Sequence, residues 1–90
     1  MNGDNTIYIG KKSTMAYVMA TIMQINKGSP EIMLKARGKA ISRAVDVAEI
    51  VKNKFINEIQ ADHIRIYTEE IKGDNDENLK ISAIEILLKK

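Results

Sequence analysis

The chain has 90 residues, and its 14 lysines and arginines against 12 aspartates and glutamates give a net charge of +2. This length suits one domain, over residues 1–90, and hardly two. Cysteine is absent and there is one histidine, which excludes a disulfide framework, a cysteine nucleophile and a multi-histidine metal site.

We expect no metal, no cofactor and no enzymatic activity. No apolar run approaches the roughly 20 residues that span a bilayer. The chain also begins with polar residues, Met1 to Asn5, whereas a secretion signal needs a basic start and an apolar stretch. We expect a cytoplasmic protein with no membrane contact.

The first half of the chain begins with a strand pattern and a helix pattern. Residues 6–9 are β-branched and aromatic, which predicts a strand. Ser13 or Thr14 then caps a helix that runs to about residue 26, before Gly28. The apolar positions of this helix are Met15, Val18, Met19, Ile22 and Met23. Its methionines, together with Met33, indicate a flexible core.

A second strand and a second helix follow. Residues 31–36 are short and mostly apolar, which predicts a strand. From Lys39 to about Phe55 the pattern is that of an amphipathic helix of about four turns. Its apolar stripe is Ile41, Ala44, Val45, Ala48 and Val51. Its polar stripe is Lys39, Arg43, Asp46, Glu49 and Asn53.

The last third of the chain predicts a β-hairpin. Ile64 and Ile66 alternate with other side chains, residues 83–88 alternate in the same way, and residues 73–78 between them are rich in turn formers. The order is β-α-β-α-β-β. With right-handed crossovers it predicts an α+β fold, an α/β two-layer sandwich with a four-stranded mixed sheet and two helices on one face.

The basic charge is concentrated in the first half. Residues 11–54 hold 9 basic and 3 acidic side chains, whereas residues 61–90 hold 5 basic and 7 acidic ones. Two loops, 10–14 and 35–39, each follow a strand and open a helix, and parallel strands bring such loops to one edge of the sheet. Two neighbouring cationic helix starts suggest a binding site for a polyphosphate backbone. The alternative is that both loops are merely polar and solvated.

Several segments resemble the Alba family of small archaeal chromatin proteins. The most specific is the run from Ile32 to Asp46, Ile-Met-Leu-Lys-Ala-Arg-Gly-Lys-Ala-Ile-Ser-Arg-Ala-Val-Asp. Residues 9–12, 49–55 and 84–86 and the C-terminal lysines add to the likeness, which covers nearly the whole chain. The resemblance implies the same β-α-β-α-β-β fold, seen also in the C-terminal domain of translation initiation factor 3.

The resemblance implies a chromosome-associated homodimer that coats and compacts double-stranded DNA with little sequence preference. An alternative is an RNA-binding protein, either an RNA chaperone or a ribonucleoprotein subunit. The implied nucleic-acid contacts are Lys11, Lys12, Lys35, Arg37, Gly38, Lys39, Arg43, Lys52 and Lys54. Lys11 matches a lysine whose acetylation weakens binding, which implies an acetyltransferase and a deacetylase as partners. Phe55 matches a dimer–dimer contact along DNA, and the alternative is a core residue that closes its helix.

The hairpin tip departs from the family pattern, in which the hairpin is a basic arm that follows the minor groove. Here the tip carries Asp74, Asp76 and Glu77, flanked by Lys72 and Lys80. Carboxylates repel phosphates. We expect binding that is weaker or more salt-sensitive than that of a basic-armed relative.

Other candidate sites have less support. His63 beside Asp62 lacks a serine or a second acid to complete a catalytic site, which indicates a surface histidine. Tyr17 either stacks on a sugar or base or lies in the interior. A sulfur carrier of this size would need a cysteine, and a pure oligomerisation module is the remaining alternative.

Overall fold

A computed structural model describes residues 5–90. The expectation about a secretion signal concerns the N-terminal residues, and the first four of these lie outside the described residues. Within residues 5–90, no helix is long and apolar enough to cross a membrane.

The described elements have the predicted order. They are β1 (Thr6–Tyr8), α1 (Thr14–Asn26), β2 (Glu31–Arg37), α2 (Ile41–Ile50), β3 (Gln60–Lys72) and β4 (Asn78–Lys89). The sheet order is β1-β2-β4-β3. β1 is parallel to β2, whereas the other two pairs are antiparallel. The α+β fold with a four-stranded mixed sheet is therefore confirmed.

The ends of α1 follow from local chemistry. Ser13 has an extended backbone, and its side chain accepts a hydrogen bond from the backbone N–H of Ala16 at 3.2 Å. This satisfies one of the unpaired amides at the helix start and identifies Ser13, rather than Thr14, as the cap. After the helix, Gly28 has a φ of +105°, which glycine adopts at little cost and which ends the helical path.

The buried face of α1 differs from the prediction. Met15, Met19 and Met23, which were expected in the core, lie on the exposed face of the helix. The buried positions are Tyr17, Val18, Thr21 and Ile25. α1 contains no charged residue, so apolar residues occur all around it and their spacing does not identify the buried side. The Thr21 hydroxyl is satisfied in the core because it donates to the Tyr17 carbonyl at 2.8 Å.

The predicted second helix is three consecutive helical segments. A 3₁₀ turn (Gly38–Ala40) leads into α2, and a π-helical turn (Val51–Phe55) follows it. Within α2, Val47 is fully buried whereas Val45 is largely exposed. The predicted stripe was therefore wrong at Val45 and missed Val47.

The core lies between one face of the sheet and the two helices. Along β2, Ile32, Leu34 and Ala36 are buried and their neighbours are not. Residues Ile84, Ile86 and Leu88 of β4 are buried on the same side and join one apolar cluster with α1 and α2. The opposite face of the sheet is open.

The hairpin is longer than its apolar pattern indicates. β3 has 13 residues and β4 has 12. Because Arg37 at the end of β2 pairs with Ala83, residues 78–82 continue past that end, paired with residues 68–72. We call residues 68–82 the arm. The apolar pattern did not predict the strands of the arm, because most side chains of the arm are exposed and therefore need not alternate between apolar and polar.

Candidate nucleic-acid interface

The two basic loops lie together at one edge of the sheet. β1 and β2 are parallel, so both end at the same edge. There the loops line a groove of about 800 Å³ whose wall includes Lys11 from the first loop and Arg37 and Lys39 from the second. The arm leaves the sheet at this same edge, because it begins beyond the residue that pairs with Arg37.

The first loop is held by two side chains. The Tyr17 hydroxyl accepts hydrogen bonds from the backbone N–H of Gly10 at 2.9 Å and of Lys12 at 3.0 Å. Arg43, from α2, donates to the Gly10 carbonyl. The backbone on both sides of Lys11 is therefore tied to both helices, while the Lys11 and Lys12 side chains stay exposed.

These contacts assign Tyr17 to the interior. The ring is buried in the core, and the hydroxyl bridges two loop amides. The sequence alone did not decide whether Tyr17 stacks on a sugar or base or lies in the interior. The available signal was a tyrosine in the first turn of the helix after the loop, at a position where its hydroxyl reaches back to the preceding backbone.

The second loop requires glycine for two reasons. Gly38 has a φ of +60°, which costs an L-residue roughly 1–2 kcal/mol. A Cβ at this position would also lie 2.9 Å from the Cδ1 atom of Ile81 in the arm. Gly38 thus allows the loop to approach the arm closely.

Two predicted cations are engaged in ion pairs. Lys35 Nζ lies 3.1 Å from Glu85 Oε2 on the open face of the sheet. The Arg37 Nη1 atom lies 3.6 Å from Glu69 Oε1 of the arm, and both side chains are substantially exposed. By contrast, Lys11 and Lys39 have no carboxylate at ion-pair distance among residues 5–90.

Glu85 is the centre of a polar cluster on the open face. Its oxygens also accept hydrogen bonds from Arg65 at 3.2 Å and from the Tyr67 hydroxyl at 3.3 Å. Partial burial raises the pKa of Glu85, but the hydrogen bonds and positive charges of Lys35 and Arg65 outweigh it and leave that pKa below its ordinary value. The hydrogen bond to Glu85 raises the pKa of Lys35, and burial raises the pKa of Tyr67.

The remaining predicted cations lie away from the groove. Lys52 and Lys54 belong to the π-helical turn, which follows ten residues of α2, about 15 Å of helix. Phe55 ends the same turn and is 49% exposed. Its side chain therefore lies largely at the surface and does not close the core.

The arm carries mainly negative charge. Residues 68–82 contain five carboxylates and two lysines. At its tip Lys72 Nζ lies 3.2 Å from Asp76, so one of the two lysines is already paired with a carboxylate. Asp76 also has a φ of +66°, within the turn.

A separate apolar patch lies across α2 and the edge strand β3. Ile64 is 57% exposed and Ile66 is 78% exposed. Both point to the helix-bearing side of the sheet, since they pair with Ile86 and Ile84. Ile41 of α2 lines a shallow depression together with Ile66. We call Ile41, Val45, Ile64 and Ile66 the apolar patch.

The part of the chain that the structure describes contains no cluster of three or more His, Asp and Glu side chains able to hold a metal. The fold is that of a small two-layer α+β domain, and one edge of its sheet carries a cluster of cationic side chains. The sequence model of the Alba family matches residues 5–68. The chain therefore belongs to the Alba family.

Individual relatives agree with this assignment. The chain is 47% identical to the "DNA/RNA-binding protein Alba" of Methanocella arvoryzae, over all of this chain and 94% of the relative. The structure matches that of Alba from Thermoplasma volcanium with a TM-score of 0.91 at 46% identity, over 96% of this chain and 100% of the other. ALBA1 from Trypanosoma brucei shares the fold, with a TM-score of 0.79 at 23% identity, over 97% of this chain and 69% of the other.

Proposed function

We propose that this protein binds nucleic acid without catalysing a reaction, and that it coats and compacts double-stranded DNA as a chromosome-associated homodimer. The observation that carries the proposal is the shared groove, in which Lys11 and Lys39 from different loops face one edge. The names of the relatives, which read DNA/RNA-binding, support the same class of ligand.

The recognition is mainly electrostatic. Lysine and arginine side chains at a fixed spacing suit the repeating phosphates of a duplex, and neutralising those phosphates releases counterions. Lys11, Lys12, Arg37 and Lys39 supply four cations per protomer. Contacts to the backbone alone carry no sequence information, so binding has little sequence preference.

The dimer forms through the apolar patch. Side chains as exposed as Ile64 and Ile66 are costly on a lone protomer, because each buried isoleucine contributes about 1.5–3 kcal/mol. A two-fold axis at this patch doubles the cations that face the DNA. An Ile66→Asp variant should sediment as a monomer, whereas Met23→Asp, which places the same charge on the exposed face of α1, should remain dimeric. A dimeric Ile66→Asp variant would exclude this interface.

Acetylation of Lys11 regulates binding in this proposal. It removes one cation per protomer from the groove without changing a buried contact. An acetyltransferase and a deacetylase would then act on a side chain that is exposed in the free protein. Lys11→Gln should weaken DNA binding and Lys11→Arg should retain it, with identical melting temperatures.

A salt titration of DNA binding tests the proposal directly. Removing one phosphate contact changes the slope of log K against log salt by about 0.9, so Lys11→Ala or Lys12→Ala should reduce the slope of a dimer by about 1.8. Lys27→Ala is the matched control. Lys27 lies at the far end of the 13-residue α1, about 20 Å along the helix from the first loop. Unchanged slopes in both loop variants would remove these lysines from the interface.

One further contact belongs to the proposal. Phe55 supplies a dimer–dimer contact along DNA, which its exposure supports. RNA is the alternative polymer, since a phosphate backbone presents the same charge in both nucleic acids. Competition between duplex DNA, duplex RNA and single strands at a fixed salt concentration would rank the affinities of the protein for these ligands.

A further inference from the structure

The open face of the sheet carries a row of side chains that crosses all four strands. Tyr8 of β1 pairs with Lys35 of β2, Lys35 pairs with Glu85 of β4, and Glu85 pairs with Arg65 of β3. Residues paired across a sheet point to the same face. With strands about 4.8 Å apart, the row is about 14 Å long.

The row presents flat groups to solvent. Tyr8 is 69% exposed. The Lys35 ammonium lies 6.0 Å from the centre of the Tyr8 ring, at the limit of a cation–π contact. At the other end the Arg65 guanidinium lies 4.2 Å from the centre of the Tyr67 ring. Tyrosine rings and guanidinium planes are the groups on which unpaired bases stack.

The same face connects with the basic groove. Tyr8 and Tyr67 both line it, together with cations from both loops. Its lining contains five cations, Lys11, Lys35, Arg37, Lys39 and Arg43, against one carboxylate, Glu69. A ligand that matches this lining carries negative charge, which suits the cations, beside flat unsaturated rings, which suit the tyrosines.

A duplex matches only half of that description. Its phosphates can reach Lys11 and Lys39, but its base faces are stacked inside the helix. A single strand offers phosphates and unpaired bases together, and four-stranded sheets with exposed aromatic residues stack two or three bases in this way.

We propose that the groove binds single-stranded nucleic acid, with an unpaired base stacked on Tyr8 and the adjoining phosphates held by Lys11 and Lys39. The Arg65–Tyr67 pair is a second stacking position along the row. This site deepens the proposed function, and rests on it, because it uses two of the same cations. It adds recognition of unpaired bases to the binding of phosphates.

Fluorescence anisotropy with three labelled probes tests the site. The probes are a 12-nucleotide oligothymidylate, an abasic 12-mer with the same phosphates, and a DNA duplex, all at one salt concentration. The oligothymidylate should bind the protein more tightly than the abasic strand. Tyr8→Ala should lower oligothymidylate affinity about 5- to 150-fold, the loss expected for one stacked base, and should lower the affinities for the abasic strand and the duplex much less.

Tyr8→Phe is the matched control, because it keeps the ring and should keep the affinity. The chain has no tryptophan, so tyrosine emission also reports stacking. Quenching by the oligothymidylate should be smaller in Tyr8→Phe than in the unchanged protein, since the emission of the stacked ring is missing.

The outcomes separate this inference from the proposed function. Equal affinities for the abasic and base-bearing strands, or an equal loss for all three probes in Tyr8→Ala, would overturn the stacking site. Duplex binding that still depends on Lys11 would then leave the proposed function standing. Conversely, a base-dependent Tyr8 effect without duplex binding would support the single-strand site and remove the duplex-coating function.

Discussion

The two basic loops and the hairpin arm leave the same edge of the sheet but carry opposite charge. The loops place Lys11, Lys12, Arg37 and Lys39 there, whereas the arm carries five carboxylates and two lysines. The backbone of the first loop is anchored by side chains from both helices, whereas the arm is held mainly by its cross-strand pairing. A polyanion that approaches this edge therefore meets attraction at the base of the arm and repulsion at its tip, a difference that the net charge of +2 averages away.

Gly38→Ala changes the point where the second loop touches the arm, and we expect the largest effect there. The positive φ and the 2.9 Å approach to Ile81 should together lower the free energy of unfolding by about 2 kcal/mol. Urea denaturation measures the loss. In an Ile81→Val background, which removes the contacting Cδ1 atom, the same substitution should cost less. Equal costs in both backgrounds would show that the loop does not press on the arm.

Tyr17→Phe tests how firmly the first loop is held. The variant leaves the N–H groups of Gly10 and Lys12 without their acceptor, and we expect a loss of about 1–2 kcal/mol in stability. DNA affinity should also fall, because Lys11 is then less well positioned. Tyr8→Phe, which removes an exposed hydroxyl, should change neither property. A Tyr17→Phe protein with normal stability would mean that water replaces the phenol at no cost.

Neutralising the arm tip tests whether its negative charge weakens the binding of nucleic acid. Asp74→Asn, Asp76→Asn and Glu77→Gln together should raise duplex affinity about fivefold at low salt, about 1 kcal/mol, and less at high salt. The matched control is Asp46→Asn, Glu49→Gln and Glu58→Gln, which changes the net charge equally but far from the tip. Equal gains in both variants would mean that net charge, not the arm, controls affinity.

Glu85→Gln has the smallest expected effect on stability. It changes the open face of the sheet, next to the basic loops and the arm. At pH 7 the variant should lose about 0.5 kcal/mol of stability, because Lys35 and Arg65 lose a charged partner. The folded pKa of Glu85 lies below its ordinary value, so its stabilisation is present above that value and disappears as pH falls through the folded pKa. The difference between the two proteins should therefore narrow below about pH 4.5. Glu58→Gln is the control, and a difference that persists at acid pH would contradict the role of this charge.

The loop edge was predictable because its causes are local. Strand ends, helix starts and the lysines between them are adjacent in sequence, and the parallel pairing of β1 and β2 then brings the two loops together. The partners of the predicted cations were not predictable in the same way. Lys35 meets Glu85 and Arg37 meets Glu69 only through strand pairing across the sheet.

The sequence by itself determined the order of strands and helices, the two cationic loops and the acidic tip, because periodicity, capping and charge are properties of short segments. Only the tertiary structure decided which side of α1 is buried, since that helix has apolar residues all around and no charge to mark its outer face. It also decided that Gly38 rests against Ile81 and that Tyr8, Lys35, Glu85 and Arg65 form one row. Those contacts join residues that are distant in sequence, and they exist only once the sheet has set its register.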